Sequence, residues 1–230
     1  MNQATSAARS TAFTFRPLTP ARWRDLEKLF GARGACGGCW CMHWRLSSPE
    51  FNRQKGEANR RALKALVRRG AAHGLLAYQG GEPAGWCALG PRETFPRLAG
   101  SRILKPVDDR PVWSVVCFFI ARPHRRRGLS VALLDAAAKY AARQGARIIE
   151  GYPHERRRGA MPDVFAWTGV GAAFRRAGFE ECARRSPTRP IMRRRLRAGH
   201  AGRTPSALPR RRDVRRRRSG SGSGRRSRAG

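Results

Sequence analysis

Apolar positions along the chain switch between a spacing of two and a spacing of about 3.6, and the switches mark alternating strands and helices. Phe13 to Leu18 reads as a first strand. Thr19 followed by Pro20 has the form of an N-cap with proline at the first helical position, and predicts a helix through Phe30. Glu57 to Arg69 predicts a second helix, with Ala62, Leu63, Leu66 and Val67 on one face and Gly70 as its stop. Leu75 to Tyr78 and Gly85 to Leu89 predict short strands, joined as a hairpin by Gln79-Gly80-Gly81-Glu82-Pro83. Val112 to Ile120 is the longest apolar run and predicts a buried central strand. Leu129 to Arg143 predicts a helix whose inner side carries Leu129, Leu133, Ala136, Ala137 and Tyr140. Arg147 to Tyr152 predicts a strand, Thr168 to Ala177 a helix ended by Gly178, and Phe179 to Arg184 with Pro190 to Leu196 a last strand pair. No internal repeat is visible, and the class is α/β (α+β).

The pattern stops after residue 197. Residues 198–230 hold eleven arginines, one acid (Asp213), a Ser-Gly repeat from Ser219 to Gly224, and only Leu208 and Val214 as larger apolar residues. Such a segment cannot bury enough apolar surface to offset the entropy of ordering, so it reads as a disordered basic tail beside one domain over residues 1–197. The net charge of +34 is carried almost entirely by arginine, with lysine only at positions 28, 55, 64, 105 and 139. Two readings stay open. One is a polyanionic partner, including nonspecific nucleic-acid contact through the tail. The other is the amino-acid bias of GC-rich codons, which the abundance of Ala, Gly and Pro also fits. No stretch approaches the roughly 20 apolar residues that span a bilayer. Met1 to Phe15 lacks the apolar core of a secretory signal. The expected location is the cytoplasm, with no membrane partner, and there the six cysteines would be reduced.

The most informative unit is a strand that runs through a basic glycine turn into a helix: Val115-Val116-Cys117-Phe118-Phe119-Ile120, then Arg125-Arg126-Arg127-Gly128-Leu129-Ser130. The first backbone N–H groups of a helix have no intrahelical partners, and the helix dipole adds partial positive charge there. The result is a site for a pyrophosphate, with Gly128 allowing close backbone approach. Arg125-x-x-Gly128-x-Ser130 resembles the signature of the Gcn5-related N-acetyltransferase (GNAT) superfamily, Arg/Gln-x-x-Gly-x-Gly/Ala after the fourth strand. Ile120-Ala121-Arg122-Pro123 is similar to the approach to that turn, and Phe174-Arg175-Arg176-Ala177-Gly178-Phe179 to the end of the family's fourth helix.

The resemblance covers about Phe13 to Leu196. It implies a mixed, mostly antiparallel sheet with splayed fourth and fifth strands, flanked by about four helices. It implies acetyl-CoA as co-substrate, no metal, and an amine acceptor whose identity the sequence leaves open. The amides of Arg126 to Ser130, next to Arg125, would hold the pyrophosphate. The main chain of Phe118, Phe119 and Ile120 would bond the pantetheine arm. The family often places a proton-donating tyrosine where this chain has Phe174, and an asparagine shortly before that helix, where this chain has Thr168-Gly169. The alternative is a non-catalytic protein that binds acyl-CoA or nucleic acid.

Amine acetylation needs a base for the amine proton and an acid for the departing thiolate. Glu150, in the apolar strand Ile148-Ile149-Glu150-Gly151-Tyr152, is the candidate base; its other reading is an ion pair with one of the many arginines. Tyr152 is the candidate acid, or else a core tyrosine with a satisfied hydroxyl. Asp108, Asp109 and His154 are weaker choices. The stretch Cys36-Gly37-Gly38-Cys39-Trp40-Cys41-Met42-His43-Trp44 resembles that of a bacterial subgroup of the family with Cys-Trp-Cys-Met. It reads as a packed pocket wall, with a zinc site through Cys36, Cys39, Cys41 and His43 as second reading and a reactive thiol as third.

Overall fold

The computed structural model describes residues 12–155 and 163–197. The expected tail lies outside the described residues, as does part of the segment before the last helix. Among the described residues seven strands form one sheet: β1 (Thr14–Pro17), β2 (His73–Gln79), β3 (Glu82–Pro91), β4 (Trp113–Ile120), β5 (Ile148–Gly151), β6 (Glu180–Arg184) and β7 (Pro190–Arg195). Their order is β1-β2-β3-β4-β5-β7-β6, and every pairing is antiparallel except β4 with β5. This is the mixed, mostly antiparallel sheet that the sequence led us to expect. The β2–β3 hairpin turns on Gly80 (φ 58°) and Gly81 (φ 84°), left-handed as a two-residue turn between twisted strands requires.

The described residues include six α-helices beside the sheet: α1 (Trp23–Phe30), α2 (Ser48–Arg53), α3 (Glu57–Arg68), α4 (Pro96–Ala99), α5 (Leu129–Arg143) and α6 (Gly171–Arg176). Two short ones, α2 and α4, have no counterpart in the apolar periodicity, because six and four residues are too few to show one. The first of them does carry a local signal: Ser47 and Glu50 form a reciprocal capping box, with proline in the first turn. Pro20 opens a 3₁₀ turn through Arg22 before α1 begins at Trp23. The helix expected from Thr168 starts later, at Gly171. Thr168 ends a 3₁₀ turn begun at Asp163, and Gly169 (φ 84°) breaks the path between the two.

Each face of the sheet buries its own core. Trp23, Leu26 and Phe30 of α1 with Leu63 and Val67 of α3 pack on Leu76 and Trp86. Leu129, Leu133, Leu134 and Ala137 of α5 with Phe174 of α6 pack on Leu75, Val115 and Ile149. Each fully buried large aliphatic or aromatic side chain contributes about 1.5–3 kcal/mol. A strand covered on both faces has no solvent side to make polar, which is why β4 reads as an uninterrupted apolar run. Among the described residues no helix is long and apolar enough to cross a membrane.

Two irregularities in β4 shape the site. Ala88 and Leu89, adjacent on β3, face Cys117 and Val115, so Val116 is an extra residue, a β-bulge. Strict alternation would send Val116 and Cys117 to opposite faces; here both join the α1/α3 core, while Val115 and Phe118 lie on the α5 side. The second irregularity is a fork. Parallel pairing with β5 covers only Trp113–Val115 against Ile149–Gly151. Beyond it β4 runs on to Ile120, while the segment after β5 leaves the pairing and bridges at His154 to Val170. Gly151 lets the fork close at its base: a Cβ there would lie 2.1 Å from the Phe174 ring.

Candidate active site

The free stretch of β4 leads directly to the glycine turn. A 3₁₀ turn over Arg122–His124 reverses the chain, and Arg125 Nε donates to the Ile120 carbonyl at 3.0 Å, closing the turn back onto the strand. Arg126 (φ 59°) and Gly128 (φ 77°, ψ 0°) are left-handed. Gly128 caps α5, whose first hydrogen bonds run from Val131 and Ala132 to the Gly128 carbonyl. The N–H groups of Arg126 to Ser130 therefore precede the helical ladder, at the positive end of a 15-residue helix. A Cβ at Gly128 would meet nothing within 4 Å, so the approach to these amides is open. Leu129 is buried and anchors the turn against Gly85, while Arg126, Arg127 and Gly128 are exposed.

Phe118, Phe119 and Ile120 lie between fork and turn, as the sequence placed them. Their side chains fix the strand from both sides: Phe118 meets Phe174 edge-on, and Phe119 meets Phe30. The 3₁₀ turn Asp163–Thr168 packs along β4. Its last residue, Thr168, is 1% exposed, and its hydroxyl has no hydrogen-bond partner among the described residues. A buried unpaired hydroxyl is costly, and a polar ligand beside β4 would satisfy it. Sequence reading passed over Thr168 as a substitute for asparagine; its signal is the small polar residue at the start of the last-helix segment.

At the base of the fork is a buried charge network. The Glu150 side chain is 0% exposed. Its Oε1 accepts from Arg92 Nη1 at 2.7 Å and from the Tyr152 hydroxyl at 2.6 Å; its Oε2 accepts from Arg193 Nε at 2.6 Å. Arg92 also donates to the Tyr152 hydroxyl and to the Leu104 carbonyl, and Arg193 donates to Asp108 at 2.7 Å. Ser114, facing Glu150 across the last β4–β5 pairs, bonds the Tyr152 hydroxyl at 2.8 Å. Arginine pairing holds the Asp108 carboxyl well below its usual range, first through Arg193 and then Arg110. Burial, and then the charge of Glu150, pushes the Tyr152 phenol well above its ordinary pKa.

Glu150 and Tyr152, the expected base and acid, are bonded to each other and to arginines. Both carboxylate oxygens are occupied, and the phenol already donates to Glu150. The ion pair was the open second reading of Glu150; what sequence could not supply was its partners, 58 and 43 residues away. Asp108 joins the network, Asp109 is exposed, and His154 bridges through its backbone to Val170.

On the α1/α3 face, the cysteine-rich stretch wraps against β4. Trp44 Nε1 donates to the carbonyl of the bulged Val116 at 3.1 Å. The four zinc candidates diverge: Cys36 is exposed, Cys39 lies against the Gly34 carbonyl, Cys41 turns into the core, and His43 sits among aromatic rings. Among the described residues no group of three or more His, Cys, Asp or Glu side chains converges as a metal site would require. His43 meets Trp44, Phe51 and Trp167 edge-on at 5.0, 5.2 and 5.0 Å. Its Nδ1 accepts from Arg97 at 3.2 Å. Burial, then the charges of Arg97 and Arg189, lowers its pKa to about 4, so the ring is neutral at neutral pH.

Comparison with known proteins identifies the family. The family model described as Acetyltransferase (GNAT) family matches residues 40–160, more than half of the chain. The chain belongs to that family. Among solved structures, the chain is similar to the PaiA N-acetyltransferase of Thermoplasma acidophilum in complex with coenzyme A (15% identity over 80% of this chain and 99% of that one, TM-score 0.47). It is also similar to YncA of Salmonella typhimurium with acetyl-CoA (12% identity, 83% and 97%, TM-score 0.46). An acetyltransferase of Thermus thermophilus gives 20% identity, 82% and 99% coverage and a TM-score of 0.45. No curated protein matches the chain.

Two outcomes follow from the side chains at the fork and beside it. Glu150→Gln leaves two arginines facing a neutral amide, so it lowers stability by about 3–5 kcal/mol in urea denaturation while turnover of the folded protein changes only a few-fold. A turnover loss of about 10²-fold or more at unchanged stability would return the base role to Glu150. His43 is protonated more readily in the unfolded chain, near pH 6.5, than in the fold, near 4. The unfolded state therefore binds the extra proton between these values, and stability falls as pH drops through that window. His43→Gln reduces the slope of melting temperature against pH there; His73 and His154, also lowered by burial, leave a remainder.

Proposed function

We propose that the protein transfers the acetyl group of acetyl-CoA to an amine by direct attack, with the coenzyme laid along the free stretch of β4 and its pyrophosphate on the Arg126–Ser130 amides. The observation that carries this reading is the continuity of three features: the fork after Val115 and Gly151, the open edge to Ile120, and the left-handed Gly128 turn at the start of α5. The residues fit the ligand. Among the described residues the turn offers amides without partners and with open approach, Arg126 and Arg127 add exposed positive charge, and Thr168 holds an unpaired hydroxyl beside the same strand.

In this reading the amine nitrogen bonds to the thioester carbon, the C–S bond breaks, and its electron pair leaves with the coenzyme sulfur. The network at the fork holds geometry. Glu150 ties β5 to β7 through Arg193 and to the β3–β4 connection through Arg92; Tyr152 ties β5 to Ser114 of β4. Phe174 packs behind Gly151 on the α5 side and has no proton to give. The proton leaves the amine to solvent at the open fork, and Glu150 and Tyr152 act as positioning residues. The acceptor enters from the α1/α3 face, where the Trp40–Trp44 stretch forms the wall. This reading places the chemistry in one domain over residues 1–197 and gives the basic tail no part in it; nonspecific polyanion contact or codon bias are the two readings of the tail's charge.

Gly128→Glu tests the coenzyme site. It puts a strained side chain and a negative charge into the open approach to the amides. Acetyl-CoA affinity, read by calorimetry, falls by about tenfold or more while the melting temperature stays close to that of the parent. Unchanged affinity in the folded variant moves the coenzyme away from this turn. Turnover with a panel of amines then separates transfer from binding alone.

A further inference from the structure

One pair of nucleophilic side chains has no part in the scheme above. Cys41 and Cys117 place their sulfurs 3.6 Å apart, both as free thiols. They come from distant positions, and each is held there by an irregular piece of backbone. Cys117 reaches this face only because Val116 bulges; an unbulged β4 would turn its side chain toward α5. Cys41 (φ 54°) and its neighbour Trp40 (φ 42°) are both left-handed, a conformation that bulky L-residues avoid. Surrounding contacts fix that loop: the Trp40 ring covers Gly34, where a Cβ would lie 2.1 Å from its Nε1, and Trp23 stacks on it at 6.0 Å. Such strain persists only where the surroundings over-determine it, and it concentrates at functional positions.

The local chemistry polarises the pair. Trp86 Nε1–H donates to the Cys41 sulfur at 3.0 Å, and the Cys41 and Cys117 thiols share a hydrogen bond. The bond between the two thiols is the main cause that lowers the Cys41 pKa, and the same bond, together with burial, raises that of Cys117 well above its ordinary value. Arg45 adds positive charge near Cys41. Of the two, Cys41 is thus the readier to give up its proton and attack, and Cys117 is placed to resolve it. Cys41 is 6% and Cys117 8% exposed, which excludes bulky reagents and leaves a small oxidant as the fitting co-reactant. Cys87, fully buried on the opposite side of the sheet, has no such partner among the described residues, and Cys36 and Cys182 are exposed singly.

We propose that Cys41 and Cys117 are a redox-active dithiol that a small hydroperoxide closes into a disulfide. The Cys41 thiolate attacks one peroxide oxygen; the S–O bond forms, the O–O bond breaks, and hydroxide leaves and takes up a proton as water. Cys117 sulfur then attacks the Cys41 sulfur; the S–S bond forms, the S–O bond breaks, and the second oxygen leaves as water with the Cys117 proton. The two thiols lose two electrons and the peroxide gains them. A disulfide needs an S–S distance of about 2.05 Å, so closure draws the α1–α2 loop and the β4 bulge toward each other. On the acetyl-transfer reading given above, that shift moves the strand that carries the coenzyme, and a misplacement on the order of 1 Å costs about 10²-fold in rate.

The test is peptide mapping of the full-length protein after brief exposure to hydrogen peroxide, with and without later dithiothreitol. The expected result is a peptide containing Cys41 linked to one containing Cys117, lost again on reduction, and present in a Cys36→Ser/Cys182→Ser background. Cys117→Ser abolishes the link and leaves a sulfenic acid on Cys41, which dimedone traps once the oxidised protein is unfolded in its presence. The proposal is overturned if oxygen accumulates on Cys36 or Cys182 while Cys41 and Cys117 stay reduced and unlinked in the parent protein; because that readout is on the parent, a variant that fails to fold does not blur it. Acetyl transfer by the oxidised protein falls by about 10- to 100-fold and returns with dithiothreitol. A reduced protein that transfers nothing to any amine counts against the reading of the reaction and leaves the pairing to the peptide map.

Discussion

Where β4 and β5 part company decides what the rest of the molecule can do. Two parallel strands that separate leave main-chain groups without ladder partners, and such groups demand either solvent or a ligand. Opening a sheet at its centre is unfavourable unless the base of the opening is held. Glu150, with three donors at 2.6–2.7 Å and no exposure, does the holding. A buried carboxylate between two arginines gains little net stability over an apolar core, but it fixes one arrangement, because removing any partner leaves a buried charge unpaired. The same network draws in β7, the β3–β4 connection and Ser114 of β4, so four parts of the chain agree on where the fork begins.

Everything on the α5 side then follows from packing. Phe174 fills the space that Gly151 leaves behind the fork, and Phe118 meets it from β4. Leu129 anchors the glycine turn against Gly85, which aligns the amide-rich end of α5 with the free edge of β4. On the other face the bulge at Val116 turns two consecutive side chains inward and presents a carbonyl that Trp44 satisfies. The cysteine-rich loop is thereby seated on the strand at the point where the strand is most irregular.

Much of this was legible in sequence, and the reasons are local. The hairpin glycines, the apolar run of β4, the periodicity of α5 and the turn Arg125-x-x-Gly128 each act over a few residues, and each lies where the pattern placed it. What stayed open is non-local. An ion pair was already one of the two readings of Glu150, but Arg92 and Arg193 are remote in sequence, and charge alone could not pick two partners among so many arginines. Cys36, Cys39, Cys41 and His43 have the residue types of a metal site, but left-handed backbone at Trp40 and Cys41 sends the side chains in different directions. A bulge has no sequence signature of its own here, so nothing in the sequence brought Cys41 and Cys117 together.

On the reading proposed above, the coenzyme occupies the free edge of β4 and the amides at the start of α5. Amide hydrogen exchange of the full-length protein, with and without saturating acetyl-CoA, tests it most directly. The expected result is added protection at residues 118–120 and 126–130, with little change along α3. Unchanged exchange over both stretches, with protection appearing instead around the cleft of about 770 Å³ between Trp40, Gly31 and Arg60, would contradict it.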